Sequence, residues 1–329
     1  MNKITTALAT SHRVSLAAME EASRLGLRTA DIDHMLLALT LDPGTAGTTL
    51  RDLGVTLTSA REAIVAQHAE QLSSLGISPA DAPAGPIVFH ETGGYEWSGA
   101  ALAVMKRASG GKNRGDSAAI LRALIVEPSG MIESTLGRLG TSPDVVLKRL
   151  NATENTDIPH ANESNTSSNI IAKSVSSHVA APPAEVWALV GDPARIPEWD
   201  PSIASVASGS TPLKPGDSRI ARARVERPDG GRIRIKPEFT RVGIELVAFE
   251  HPNTVEWQFS YPDSARANKR RVTIRIEEAS GGTRLRLTYS WERTGARSSL
   301  RGLVLRPLQR LATDMQASQL AAGIGRAFR

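Results

Sequence analysis

The stretch "VAAPPAEVWALVGDPARIPEWDP", residues 179–201, decides how the C-terminal half is read. Pro182 and Pro183 suit a helix start, where the amide proton that proline lacks would have no intrahelical partner. "AEVWALVGD" predicts a short helix, and the Pro-bounded "PARIPEWDP" a second one ending on Trp199 and Asp200. Upstream, "AKSVSSHVA" (172–180) predicts a strand. Downstream the apolar residues alternate, as in strands buried on one face. Val255, Trp257, Phe259 and Tyr261 share a face, as do Val272, Ile274 and Ile276, and Leu285, Leu287, Tyr289 and Trp291. Turns fall at "PDGG" and "SGG". The close, "SLRGLVLRPLQRLATDMQASQLAAGIGRAF", predicts an amphipathic helix with Leu300, Val304, Leu308, Leu311 and Met315 on one side and a bend at Pro307.

The Pro-x-x-x-Val-Trp pattern of 182–187, followed by Asp-Pro at 192–193 and Trp-Asp-Pro at 199–201, resembles the two-helix insertion after strand one of the SRPBCC superfamily. That superfamily includes START, polyketide-cyclase and pollen-allergen-like proteins. The resemblance covers about residues 170–328. It implies a helix-grip fold, a curved antiparallel sheet around a long C-terminal helix, with an apolar cavity between the two.

Before residue 151 the chain reads as helical and internally repeated. "HMLLALTLDPGTAGTTLRDLG" (34–54) runs parallel to "AILRALIVEPSGMIESTLGRLG" (119–140), and "MEEASRLG" (19–26) to "MKRASGGK" (105–112). A Pro- and Gly-rich connection near 72–96 separates the two units. "ADIDHMLLAL" and "LGVTLTSAREAI" resemble the double-repeat N-terminal (Clp-N) domain of Clp/Hsp100 unfoldases, in particular the ClpC type, over about residues 1–150. In the second repeat Ala118 and Ala119 fall where the family's acid–His pair would stand, with Asp116 two residues away. "NATENTDIPHANESNTSSN" (151–169) lacks the apolar content to offset its ordering entropy and reads as a flexible linker. The expected fold class is therefore α+β: an all-α double repeat (1–150), a linker (151–169) and a helix-grip domain (170–329).

The chain has 329 residues, 40% of them apolar, and no cysteine, which excludes disulfides and thiolate chemistry. No apolar run approaches the length of a membrane span, and the N-terminus lacks a signal-peptide core, so a cytoplasmic protein without a membrane span is expected. Residues 1–169 carry 14 Lys+Arg against 18 Asp+Glu, whereas 170–329 carry 25 against 16. The halves thus present different surfaces. "ASGGKNRG" lacks the first Gly and the Ser/Thr of a phosphate-binding loop, and His90-Glu91 is followed by Thr92-Gly93-Gly94 rather than by a metal-binding helix. No ATPase module, metal or other cofactor is expected.

Three groups of residues are candidate sites. Asp33 and His34 begin an apolar helix. The ClpC resemblance implies that Asp33 contacts phosphorylated arginine, while an acid before an apolar run also suits plain helix capping. Trp199, Phe239, Trp257, Phe259, Tyr261, Tyr289 and Trp291 either line a ligand cavity or fill a core. Arg222, Arg224, Arg232, Arg234, Lys236, Arg271, Arg275, Arg284 and Arg286 are expected on the outer sheet face, solvated or docking an acidic partner. Nucleic acid is not expected, since no aromatic residues interleave.

The expected function is non-catalytic binding, since no acid–base constellation stands out. The resemblances imply an adaptor or decoy around Clp unfoldase and protease components or their substrates. The Clp-like half would take peptides or a peptide-like antibiotic, and the helix-grip half a hydrophobic small molecule. The alternatives are a cyclase or aromatase, or a lipid or metabolite carrier.

Overall fold

The computed structural model describes residues 3–77, 85, 87, 94–110, 115–156, 170–209, 213–227, 230–264, 266–292 and 306–329. The chain divides into two compact units, Met1–Pro159 and His160–Phe328.

The first unit is helical and its order repeats. Helices α1 (Lys3–Arg24), α2 (Ile32–Thr40), α3 (Thr45–Asp52) and α4 (Leu57–Ser74) are followed by α5 (Gly99–Ala108), α6 (Ser117–Ile125), α7 (Met131–Arg138) and α8 (Pro143–Thr156). The punctuation repeats as well. Asp31 caps α2 and Asp116 caps α6, each carboxylate accepting a backbone N–H of the first turn. Gly54 and Gly140 take the left-handed conformation after α3 and α7, with φ of 79° and 73°. A short parallel pair, β1 (Thr29–Ala30) with β2 (Glu96–Trp97), ties the two repeats together. Met35, Leu36, Leu39, Leu50, Ile120, Leu121, Leu124 and Ile132 form the buried centre. Helix α8 continues to Thr156, six residues into the stretch expected to be linker; residues 157–169 lie outside the described residues, as do His90 and Glu91.

The second unit is a seven-stranded antiparallel sheet with helices on its inner face. Strands β3 (Ile170–Val179), β4 (Ile203–Val206), β5 (Ser218–Ala223), β6 (Arg241–Glu250), β7 (Thr254–Ser260), β8 (Lys269–Ala279) and β9 (Gly282–Glu292) lie in the order β3-β9-β8-β7-β6-β5-β4. Between β3 and β4 the chain makes α9 (Pro183–Val190), one turn of tighter helix (Pro193–Arg195) and α10 (Ile196–Trp199). Pro182 is the N-cap of α9 and Pro183 its first residue, as the missing amide protons favour. The C-terminal helix α11 (Arg306–Arg326) packs on β3 and β9. This is a helix-grip arrangement, and the whole chain mixes helix and sheet.

The phase of α11 differs from the sequence expectation. Thr313, Ala317, Leu320, Ala321 and Ile324 are buried, whereas Met315 is 64% exposed. The buried face carries Leu320 and Ile324 with the smaller Thr313, Ala317 and Ala321, and Met315 is turned to solvent. Pro307 lies in the first turn, where proline is tolerated, and therefore starts the helix instead of bending it. Leu300, Val304 and the side chains of Leu308 and Leu311 fall outside the described residues.

Candidate functional site

The inner sheet face is built in rows by strand register. Leu246 pairs with Trp257, Trp257 with Val272, and Val272 with Tyr289. In the next row Ile244 pairs with Phe259, Phe259 with Arg270, and Arg270 with Trp291. Trp257, Phe259 and Tyr289 are fully buried, as is Trp199, which reaches this core from α10. Tyr261 and Trp291 are partly buried against it. Phe239 sits on a helical turn (Pro237–Phe239) and meets Tyr261 edge-on at 5.1 Å. Tyr289 and Trp291 meet at 5.8 Å. Six of the seven aromatic residues named from the sequence thus belong to or pack against one core, and Phe239 meets it through Tyr261. The Trp257 indole N–H is satisfied, donating to Val190 O at 2.9 Å.

A charge pair lies inside this apolar wall. Arg270 Nη2 donates to Asp200 Oδ2 at 2.5 Å, and both side chains are buried. The Arg270 guanidinium stacks 3.9 Å from the Phe259 ring centroid. Asp200 Oδ1 accepts from Ser202 N (2.9 Å) and Ser202 Oγ (2.6 Å), so both carboxylate oxygens have partners. Burial opposes the guanidinium charge, but Asp200 and the surrounding tyrosines outweigh it and hold Arg270 above its ordinary pKa. Burial pushes the Tyr289 phenol up to about 12 against the pull of Arg270. Two donors in this cluster, Trp199 Nε1 and Arg270 Nε, have no hydrogen-bond partner among the described residues. The alternation that places Val272, Ile274 and Ile276 inside also places Arg270 there, so its inward position was readable from the sequence but missed.

Beside the aromatic rows opens a groove of about 380 Å3, lined by Trp187, Ala188, Gly191, Asp192, Pro193, Leu213, Leu246 and Phe249. Its shape depends on a bulge. The β6–β7 register runs Leu246 with Trp257 and then Ala248 with Glu256, so Val247 is an extra residue. Strict alternation would put Phe249 opposite Leu246 on the other face. The bulge restores it to the Leu246 side, where it pairs with Val255. Trp187 closes the groove, meeting Phe249 edge-on at 4.9 Å and His251 at 5.0 Å.

The basic residues expected on the outer face divide into groups. Arg271, Arg275, Arg284 and Arg286 lie on the neighbouring strands β8 and β9. Arg275 and Arg286 pair directly and are exposed, Arg284 faces Glu277, and Arg271 Nη1 stands 3.2 Å from Glu256. Arg222 is exposed on β5. Arg232, Arg234 and Lys236 are exposed but fall outside the named strands, on an excursion closed by a bridge between Glu226 and Arg232. Arg224 is half-buried, and its guanidinium donates to Pro201 O (3.0 Å) and Ile203 O (3.1 Å), bracing the segment after Asp200.

In the helical unit Asp31, not Asp33, caps α2. Asp33 is itself buried. His34 Nδ1 stands 2.6 Å from its Oδ1, and His68 Nε2 stands 3.5 Å from its Oδ2. Burial pushes the Asp33 carboxyl up, but the hydrogen bonds and charge of His34, with the charge of His68, outweigh this and leave it below its ordinary value. His34 Nδ1 also lies 3.2 Å from Asp31 N. It can accept from that amide or donate to Asp33 but not both, because Nδ1 carries either a lone pair or a proton. The phosphoarginine contact expected at Asp33 thus meets a carboxylate only 7% exposed and already partnered. A polar cleft of about 500 Å3 lies elsewhere in this unit, between α4 (Gln67, Glu70, Gln71, Ser74) and α7 (Ser134, Gly137, Arg138). These helices come from different repeats.

Among the described residues no group of His, Cys, Asp and Glu could hold a metal ion, and no helix is long and apolar enough to cross a membrane.

Residues 172–322 match the family described as polyketide cyclase / dehydrase and lipid transport. No curated protein matches the chain. Among solved structures, the chain is similar to protein CV1439 from Chromobacterium violaceum, with 15% identity over 47% of this chain and 96% of that one and a TM-score of 0.31. It is also similar to protein Ms6760 from Mycobacterium smegmatis, with 20% identity over 52% of this chain and 95% of that one and a TM-score of 0.32. A third, protein MLL2253 from Mesorhizobium loti, shows 18% identity over 47% of this chain and 94% of that one, with a TM-score of 0.31.

Proposed function

We propose that the C-terminal unit binds a hydrophobic small molecule without transforming it. The observation that carries this reading is the groove of about 380 Å3 that the β6 bulge opens beside the aromatic inner face, walled by Trp187, Leu213 and Phe249. Ligand pockets of this kind are concave and apolar, with few polar groups. A family described by lipid transport as well as cyclisation supports an apolar ligand. The test is titration with N-phenylnaphthylamine, a neutral probe that fluoresces in apolar surroundings. Binding is expected, and Phe249→Asp, which places a charge in the groove wall, should weaken it at least about tenfold. No binding by the wild type sinks the reading; equal binding by the variant moves the site out of the groove. Mass spectrometry of retained ligand separates a carrier from a cyclase or aromatase, which would release a product differing from the compound supplied.

We infer a second binding role for the N-terminal unit: a Clp-type double repeat that serves as an adaptor or decoy, taking peptides or peptide-like antibiotics. The polar cleft between α4 and α7 supports it, since a site shared by two repeats offers hydrogen bonds to an extended backbone from both sides. Co-precipitation with purified Clp unfoldase and peptidase tests the adaptor role. Failure to capture either, together with failure to bind substrate peptides, would remove it.

A further inference from the structure

We propose that the basic excursion between β5 and β6 docks the C-terminal unit on an anionic phospholipid surface. Residues 222–236 carry six Lys+Arg against two Asp+Glu and no aromatic residue. The excursion is built as a hairpin. Arg227 N donates to Gly231 O at 2.8 Å and Ile233 N to Val225 O at 2.9 Å, on either side of the Glu226–Arg232 bridge. Gly230, with φ of 82°, supplies the left-handed residue that its turn needs. The base is fixed as well: Arg224 N donates to Ser202 O at 2.8 Å, and its guanidinium holds Pro201 O and Ile203 O. The charges are therefore presented on a hydrogen-bonded arm.

Two features of the arm fit a lipid surface. The first is that its cations are uncommitted. Elsewhere on this unit surface arginines have carboxylates at hand: Arg195 has Glu198 at 2.8 Å and Arg241 has Asp263 at 2.9 Å. Among the described residues Arg222, Arg232, Arg234 and Lys236 form no such ion pair, although all four are exposed. The second is that aliphatic side chains stand in water beside them. Exposure alternates along 232–236, with the three cations exposed and Ile233 and Ile235 half-buried. Val225, bonded across to Ile233, is 51% exposed, and Ile220, on the face of β5 that also carries Arg222, is 41% exposed. A cation near an anionic leaflet gains from the surface potential, and an aliphatic neighbour gains by entering the headgroup boundary. Nucleic acid fits less well. Its single strands reward stacking on aromatic rings, and a duplex backbone would take the cations but leave Val225 and Ile220 in water.

The experiment is co-sedimentation of the full chain with phosphatidylcholine vesicles, with and without phosphatidylserine. Binding is expected to the mixed vesicles only, and it should weaken as salt is raised. Arg232→Gln/Arg234→Gln/Lys236→Gln should lower the affinity about a hundredfold. Val225→Ser, which leaves every charge in place, should lower it about tenfold. Arg275→Gln/Arg286→Gln removes an exposed pair three and four strands away from β5 and should change it less than about threefold. All the substituted side chains are exposed, so matching circular dichroism spectra identify a loss as one of docking. Failure of the wild type to bind the mixed vesicles overturns the proposal. Equal losses in the two arginine variants overturn it in favour of diffuse attraction by net charge. A duplex oligonucleotide that binds more tightly than the vesicles, and is released by the triple substitution, assigns the arm to nucleic acid instead. None of these outcomes bears on the groove, whose probe titration stands on its own.

Discussion

Gly323 of α11 lies against the backbone of Trp199: a Cβ added there would stand 2.3 Å from Trp199 O. Backbone cannot yield as a flexible side chain can, so the helix and the α10 turn approach as closely as a missing side chain allows. Gly325, two residues on, has nothing within 4 Å of such an atom. The two glycines of one helix therefore make a matched pair. Gly323→Ala should destabilise the C-terminal unit by about 1–3 kcal/mol through overpacking. Gly325→Ala should stabilise it by up to about 1 kcal/mol through helix propensity. Urea denaturation of both variants checks the sign as well as the size.

The Asp200–Arg270 pair yields an asymmetric expectation. Arg270→Met alone leaves a buried carboxylate without its cation and should cost about 3–5 kcal/mol. Asp200→Leu/Arg270→Met should recover most of that loss, because two apolar side chains of similar volume replace two ions that no longer need dehydrating. A double variant as unstable as the single one would mean that the pair contributes far more than it costs to bury.

Tyr289 gives a test at high pH. Its phenol is raised from 10.0 to about 12, mainly by burial. A group whose folded value is raised contributes stability that is complete below the unfolded value and is lost as pH climbs through the folded one. Stability of the C-terminal unit should therefore decline between pH 10.0 and about 12. Tyr289→Phe should flatten that decline, and an ultraviolet titration of the chain's three tyrosines should show one ionising late.

Asp33 gives the opposite test. Its carboxyl is lowered below 3.8, so its contribution is present above that pH and fades as pH falls through the folded value. The stability difference between wild type and Asp33→Asn should be present above pH 3.8 and shrink below it. Denaturant titrations across that range, read by the helical circular dichroism signal, measure it.

Much of the second unit was legible in the sequence because period-two alternation is a strong signal wherever one sheet face is buried. Trp257, Phe259 and Tyr289 fall inside as their spacing requires. Three features escaped for separate reasons. Arg270 obeys the alternation, but a charged residue on a core face is readily grouped with its half-buried neighbour Arg271 on the opposite face. Phe249 breaks the alternation through the bulge at Val247, which only the pairing with Glu256 reveals. Met315 misled because the buried face of α11 is set by Ala317, Leu320, Ala321 and Ile324, a phase that small alanines signal weakly. In the helical unit, Asp31 and Asp33 are both acids before an apolar run. The cap is the first of them, two residues earlier than the resemblance directed attention.

The sheet order has a consequence for how the second unit comes into being. β3 opens this unit, yet among the described residues its one neighbour in the sheet is β9, the last strand described. The hydroxyls of Ser174 and Thr288 meet at 2.8 Å across a sequence separation of 114 residues. Contacts of such range must close a long loop before any pairing energy is returned, which slows folding. On a ribosome β3 therefore emerges well before β9, the strand that pairs with it among the described residues. The sheet is therefore closed by its last strand, and the pairing of β3 with β9 is the step that waits longest.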